Sequence, residues 1–224
     1  MIQHGEPLDL GIAGTPPEKS MYLSVLRQTG IHRKTGDCWQ FSAPSRTADE
    51  GIRKVWSAIT EYFAQRERDA RPIITLYERL AAPPYGVLAG PMPVLLCAAL
   101  LANDTRVALY EEGTFVPQLN IAAFERLLRA PERFSVQQWR LTGVRTTVFH
   151  RLAELLDLKV SDVTPDKGDI LTVVRPLCRF VTRLNDYARR TQRISPAAMQ
   201  IREHLTTATR PDKLIFEALP GACG

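Results

Sequence analysis

Eight arginines stand between positions 175 and 210, at 175, 179, 183, 189, 190, 193, 202 and 210, against only Asp186 and Glu203. The guanidinium fork donates two parallel hydrogen bonds to a phosphate or carboxylate, so this density points to an acidic partner. The alternative for the same residues is a solvated helix face. Arg175, Arg179 and Arg183 recur at i, i+4 and i+8 and form one ridge on a helix. With Arg189, Arg190 and Arg193 they make six candidate nucleic-acid-binding residues, which would contact phosphates rather than base edges.

Other residue types with chemical potential are dispersed. Cys38, Cys97, Cys178 and Cys223 form no CxxC pair, which removes zinc-ribbon and dithiol redox chemistry and leaves free thiols. His4, His32, His150 and His204 lie far apart in sequence, so no metal site is expected. His32, beside Arg33 and Lys34, reads as a surface or turn residue, and its nearness to Cys38 is weak evidence for a nucleophilic pair. Gly14-Thr15-Pro16-Pro17-Glu18-Lys19-Ser20 runs from glycine to Lys-Ser but has no second glycine before the lysine, and Glu18 would repel phosphate. GxGxxG and GxSxG are absent. Asp49-Glu50 and Glu111-Glu112 read as a helix start and a hairpin tip, not as a paired acid and base. No catalytic constellation and no cofactor site is expected.

The elements that must position these residues are mostly helices. Thr15, three residues before Glu18, predicts a capped helix to about Gln28, ended by Gly30. Thr35-Gly36-Asp37 reads as a turn with Trp39 and Phe41 on a strand. Thr47 or Asp49 opens a helix with the stripe Ile52, Val55, Trp56, Ile59, Tyr62 and Phe63, followed by a polar tail through Asp69. Pro72 starts another, and Pro91 a wholly apolar one from Met92 to Leu101. A hairpin over Arg106–Pro117, a helix capped by Asn120 and a strand from Phe134 to Leu141 follow. The last third reads as a helix over Val144–Leu156, a loop at Thr164–Gly168, and a longest helix from Asp169 to Arg190. That long helix would bury Ile170, Val173, Val174, Leu177, Phe180, Val181 and Leu184, with the arginine ridge on its opposite face. Ser195-Pro196 opens the next helix, and Pro211-Asp212 a final one ending at Leu219-Pro220-Gly221.

At 224 residues, 45% hydrophobic and 24% charged with a formal net charge of +5, the chain has a globular composition, which excludes wholesale disorder, collagen and a coiled-coil rod. The longest apolar run, Val94 to Ala102, is about half a membrane span. With no apolar leader, a soluble cytoplasmic protein that is neither secreted nor membrane-bound is expected. The fold class is mainly α within α+β: a helical bundle with a central winged-helix-like unit and small β-hairpins. Three segments are expected: an N-terminal helical segment over 1–70, the winged-helix-like unit over 71–141 and a C-terminal bundle with arginine-rich helices over 142–224. The second helix of that unit carries no arginine, lysine, asparagine or glutamine before Asn103 and the wing tip is Glu111-Glu112, so direct base readout is not expected.

The wording of several segments carries a resemblance. Pro16-Pro17-Glu18-Lys19-Ser20-Met21-Tyr22-Leu23, Thr29-Gly30-Ile31-His32-Arg33, Pro83-Pro84-Tyr85-Gly86-Val87, Ala108 to Pro117 and Leu214-Ile215-Phe216-Glu217-Ala218-Leu219-Pro220 resemble segments that follow the P-loop ATPase region in very large bacterial proteins, some similar to the ATPases of BREX-type phage-defence systems. The chain lacks Walker A and Walker B motifs, so the resemblance implies a non-catalytic helical and winged-helix region without ATPase activity. It also implies a fragment or split product of such a protein. The leading expectation is a non-enzymatic interaction module that docks onto an ATPase or other protein partner, as part of a phage-defence assembly. The second is a stand-alone winged-helix DNA-binding regulator using the C-terminal arginines. A third, a hydrolase or transferase, would require a deep pocket where His, Cys and carboxylate groups converge.

Overall fold

The computed structural model describes Met1, Gly5 and residues 7–65, 70–139 and 170–223. In chain order its elements are α1 (Pro17–Met21), continued by a π-helical stretch (Tyr22–Arg27), β1 (His32–Thr35), β2 (Cys38–Phe41), α2 (Glu50–Ala64), β3 (Arg71–Pro72), α3 (Ile73–Ala81), α4 (Pro91–Ala102), β4 (Val107–Glu111), β5 (Thr114–Val116), α5 (Ile121–Arg129), β6 (Phe134–Gln138), α6 (Ile170–Arg183), α7 (Asp186–Arg190), α8 (Pro196–Thr206) and α9 (Pro211–Lys213). The last continues without interruption through a π-helical stretch (Leu214–Ala218) into α10 (Leu219–Cys223). The protein is mainly helical, an α+β chain with small antiparallel sheets. Among the described residues no helix is long and apolar enough to cross a membrane.

The chain forms two compact units, Met1–Asp104 with Leu119–Gln137 and Thr105–Gln118 with Gln138–Gly224. The first is built around α4. This helix is apolar all round, and Met92, Leu95, Leu96, Cys97, Ala98, Ala99 and Leu100 are all buried, as a helix without a polar face must be. Against it pack α2, β2 and the π-helical stretch. The stripe expected on α2 is buried from Val55 through Phe63, with Ile52 half-buried at its start. Asp49 caps α2, its Oδ1 accepting from the N–H groups of Gly51 at 2.7 Å and Ile52 at 3.4 Å. Asn103 closes α4 by donating Nδ2–H to the Ala99 carbonyl at 2.8 Å. β1 and β2 pair across Gly36-Asp37, with His32 opposite Phe41 and Thr35 opposite Cys38. β3 pairs antiparallel with β6.

In the second unit β4 and β5 form a hairpin with Glu111 opposite Thr114. Its two turn residues, Glu112 (φ 49°) and Gly113 (φ 79°), are both left-handed, the twist that suits a two-residue connection. α6 packs on α8 and α9, and α8 on α10.

Several boundaries differ from the sequence reading. The first helix begins at Pro17, and Pro16 occupies its cap position with no side-chain cap, so the Thr15–Glu18 box is not formed. The expected long helix ends at Arg183 and restarts at Asp186 because Asn185 caps α7, its Oδ1 accepting from Ala188 N–H at 2.7 Å. The final helix runs past Pro220-Gly221 to Cys223, and β6 stops at Gln138. The helix expected over Val144–Leu156, the loop at Thr164–Gly168 and the polar residues Arg66 to Asp69 lie outside the described residues.

Gly30 and Gly36 separate two sources of strain. Both are left-handed, at φ +73° and +62°, but a Cβ at Gly30 would meet Ser45 Cβ at 3.0 Å and its backbone nitrogen at 3.3 Å, whereas one at Gly36 meets open space. The left-handed penalty of about 1–2 kcal/mol applies to both, and the close approach only to Gly30. Gly30→Ala is expected to lower stability more than Gly36→Ala. Equal midpoints for the two variants in urea denaturation would contradict this.

Candidate functional site

The arginines anticipated as one ridge divide by environment. Arg175 belongs to the inward face of α6: it lies four residues after Leu171 and three before Cys178, both buried. Its fork donates from Nη1 to the Pro117 carbonyl at 2.9 Å and from Nη2 to the Val107 carbonyl at 3.0 Å, with the guanidinium carbon 5.9 Å from the Phe115 ring centre. The expected solvent-facing position is corrected for this residue. Arg179 is half-buried, with its Nε enclosed and without a hydrogen-bond partner. Arg183, Arg189, Arg190 and Arg193 are exposed, and Arg189 pairs with Asp186 on α7.

Two further arginines act inside the second unit. Arg202 on α8 donates through Nη1 to the carbonyls of Ala188 at 2.9 Å and Thr191 at 2.8 Å, which satisfies acceptors left open where α7 ends. Arg210 holds Asp212 through Nε and Nη2 at 3.2 and 3.0 Å and lies 5.5 Å from the Trp139 ring centre. Trp139 in turn donates Nε1–H to the Tyr110 hydroxyl at 2.9 Å.

Beside the exposed arginines are two aromatics whose placement the sequence did not indicate. Phe180, expected on the buried face of the long helix, is 65% exposed, and Tyr187 is 70% exposed. The inward positions of α6 are Ile170, Leu171, Val173, Val174, Cys178 and Val181, and Phe180, two turns beyond Val173, lies at the edge of that stripe near the helix end. A helix unbroken to Arg190 would have made Phe180 and Leu184 one apolar row. The Asn185-Asp186 capping pair is the signal that separates them.

His32 overturns its surface assignment. It is 1% exposed, with ring centres of Trp39 at 5.2 Å and Phe41 at 4.8 Å. Nε2 lies 2.7 Å from the Gly5 carbonyl and Nδ1 2.9 Å from the Tyr22 hydroxyl. A carbonyl only accepts, so Nε2 carries the proton and the neutral ring accepts Tyr22 O–H at Nδ1. Burial holds the imidazole below its usual range, against the opposing effect of the Gly5 carbonyl. Cys38 sits at the turn end of the same hairpin and His32 at the open end, so the two are not brought together.

The remaining candidates resolve into structural roles. Burial pushes the Cys97 thiol up to about 12 and that of Cys178 to about 11, leaving both as neutral thiols without nucleophilic character at neutral pH. Cys38, Cys97 and Cys178 are free. Glu50 pairs with Lys54 one turn along α2 at 2.8 Å, which holds its carboxyl below the usual range. Lys19, from the segment that resembles a phosphate loop in outline, pairs with Asp9 at 3.2 Å, as does Arg27 at 2.9 Å. Among the described residues no group of three or more His, Cys, Asp or Glu side chains is placed to hold a metal ion. His4 and His150 lie outside the described residues. No protein-family model matches the chain, and neither the curated proteins nor the solved structures compared with it yield a match.

Two outcomes follow from these environments. Arg175→Ala removes two hydrogen bonds from a charged donor and is expected to cost about 2–3 kcal/mol, whereas Arg183→Ala, at an exposed position, should stay within about 0.5 kcal/mol. Chemical denaturation of the two variants separates these roles, and equal losses would refute the assignment of Arg175. For His32 the folded state disfavours the charged ring, so the unfolded chain binds more protons. Its contribution to stability is complete above the unfolded value of about 6.5 and declines as pH falls through the lowered folded value. Between pH 7 and 5 the wild type should lose stability more steeply than His32→Gln; parallel profiles would show that His32 does not titrate on unfolding.

Proposed function

We propose that the chain is a non-enzymatic interaction module, docking onto a partner protein through the surface of α6 and α7 that carries Phe180 and Tyr187. The observation that carries this reading is the exposure of these two rings, each large enough to anchor an interface, in a protein whose other described aromatics are buried or half-buried. Exposed arginines at 183, 189, 190 and 193 favour a partner with an acidic face, since charge complementarity steers encounter and rejects basic surfaces. The resemblance to helical regions of large P-loop ATPases supports such an ATPase chain, in a phage-defence assembly, as that partner.

A photoreactive residue in place of Phe180 should give a discrete adduct in cells, identified by mass spectrometry as a P-loop ATPase chain, and Tyr187→Glu in the same background should abolish it. An adduct that survives Tyr187→Glu, or none at all, would overturn the docking surface.

The exposed arginines also favour a second reading, a winged-helix DNA-binding regulator that contacts phosphates. The helices Ile73–Ala81 and Pro91–Ala102 and the hairpin of β4 and β5 follow one another along the chain in the order such a unit has, with the helices in the first compact unit and the hairpin in the second. With α4 buried, contacts would fall to Arg183, Arg189, Arg190 and Arg193. Four phosphate contacts correspond to a slope of about −3.6 in log K against log salt. Fluorescence anisotropy with duplex DNA should show that slope in the wild type and no binding in a variant with these four arginines changed to alanine. Arg175 is left intact because it holds the fold. Salt-independent binding, or binding that survives the variant, would refute this reading.

A further inference from the structure

Between the end of α8 and the start of α9, within the second unit, lies a pocket of about 240 Å³ lined by His204, Thr207, Thr209, Arg210 and Lys213, its other lining side chains being alanine and leucine. We propose that this pocket binds a small phosphoryl anion such as inorganic phosphate or pyrophosphate. Its volume falls below the roughly 300–1,000 Å³ of sites for drug-sized ligands, which suits a compact anion and not a whole nucleotide.

The chemistry of the lining is one-signed. Among the described residues, three of its side chains are basic types and none is a carboxylate. Of the acids adjacent in sequence to lining residues, Glu203, Asp212 and Glu217, none lines the pocket, and Asp212 is held by the Arg210 fork. Arg210 is thereby held between Asp212 and the face of Trp139, a lining side chain whose charge is already paired but whose position is set before any ligand arrives. Lys213 is exposed and His204 half-buried. An ammonium and an imidazole N–H, together with the Thr209 hydroxyl, supply several donors around a tetrahedral anion, and lysine is a common phosphate ligand as a point charge.

The end of a helix ordinarily repels an anion, because its last carbonyls are unsatisfied. Here one of them, that of Glu203, is already occupied, accepting from both Oγ1 and N–H of Thr207 at 2.9 Å, while Thr206 Oγ1 donates to the Arg202 carbonyl just before the last four at 2.7 Å. The Ala208 carbonyl likewise accepts from Phe115 N–H at 3.2 Å, which pins the pocket wall to the β4–β5 hairpin. The site is separate from Phe180 and Tyr187 in the chain and stands whether or not those residues dock a partner.

Isothermal titration of the full chain with pyrophosphate and with inorganic phosphate, in chloride buffer at fixed ionic strength, tests the assignment. Saturable one-to-one binding is expected, weakened at least tenfold in His204→Ala/Lys213→Ala and in the single charge reversal Lys213→Glu. It should be unchanged in Arg183→Ala/Arg190→Ala/Arg193→Ala. Circular dichroism confirms that each variant retains its helices, and Lys213→Glu, at an exposed position, keeps the test valid if the double variant unfolds. Absence of saturable binding, equal binding in the pocket variants, loss in the arginine variant, or equal affinity for citrate would each overturn the phosphoryl assignment.

Discussion

A helix with no polar side cannot face water anywhere, and α4 imposes that constraint on the whole first unit. From Met92 to Leu100 its side chains must be covered in every direction, so α2, the β1–β2 hairpin and the π-helical stretch are arranged as its cover. The cover brings in pieces that are far apart in sequence, and it is this convergence that buries His32 against Tyr22, Trp39 and Phe41. It also has a functional consequence. With seven of its side chains buried and Pro93 and Val94 half-buried, α4 leaves little surface for recognition.

In the second unit a single guanidinium has a comparable organising role. Main-chain carbonyls at Val107 and Pro117, on the two strands at the open end of the β4–β5 hairpin, both accept from Arg175, and buried acceptors left without donors would be costly. Arg202 does the same for the end of α7. Arginine is suited to this because its donors are fixed in a plane and its charge strengthens each bond. The basic composition of residues 175–210 therefore has two origins, and part of the charge that looks available for a partner is consumed by the chain's own backbone.

That division was not legible in the sequence, whereas much of the framework was. Asn120 and Ser195 cap the helices they precede, and of the two starts offered by Thr47 and Asp49 it is Asp49 that caps α2; the hairpin turns and proline starts lie where local chemistry puts them, because these signals act within a few residues. Thr15 failed because Pro16 takes the cap position, with extended backbone at ψ 164°. His32 failed for a different reason: its partners Gly5 and Tyr22 are 27 and 10 residues away, and no local pattern reports a contact of that span. The ridge counted at i, i+4 and i+8 was present as spacing, yet spacing alone does not say which side of α6 is inward. The two residues of shared outward exposure, Phe180 and Tyr187, were hidden by the break at Asn185.

The other described aromatic rings are buried or half-buried. Tyr22, Trp56, Tyr62, Phe63, Tyr110, Phe115 and Phe134 are all within the core. Leaving a phenylalanine mostly in water forgoes on the order of 1.5–3 kcal/mol of transfer free energy, and a chain that could place arginine or glutamate at the same position with better helix propensity gains nothing for its own stability by keeping Phe180 there. Departures from a chain's own packing rule concentrate where another molecule completes the contact. Phe180 and Tyr187 flank the Asn185 break, with arginines on either side that are not needed to hold carbonyls. This conjunction of a local sacrifice in burial and positive charge not engaged with the backbone is the physical ground on which the proposed docking surface on α6 and α7 rests.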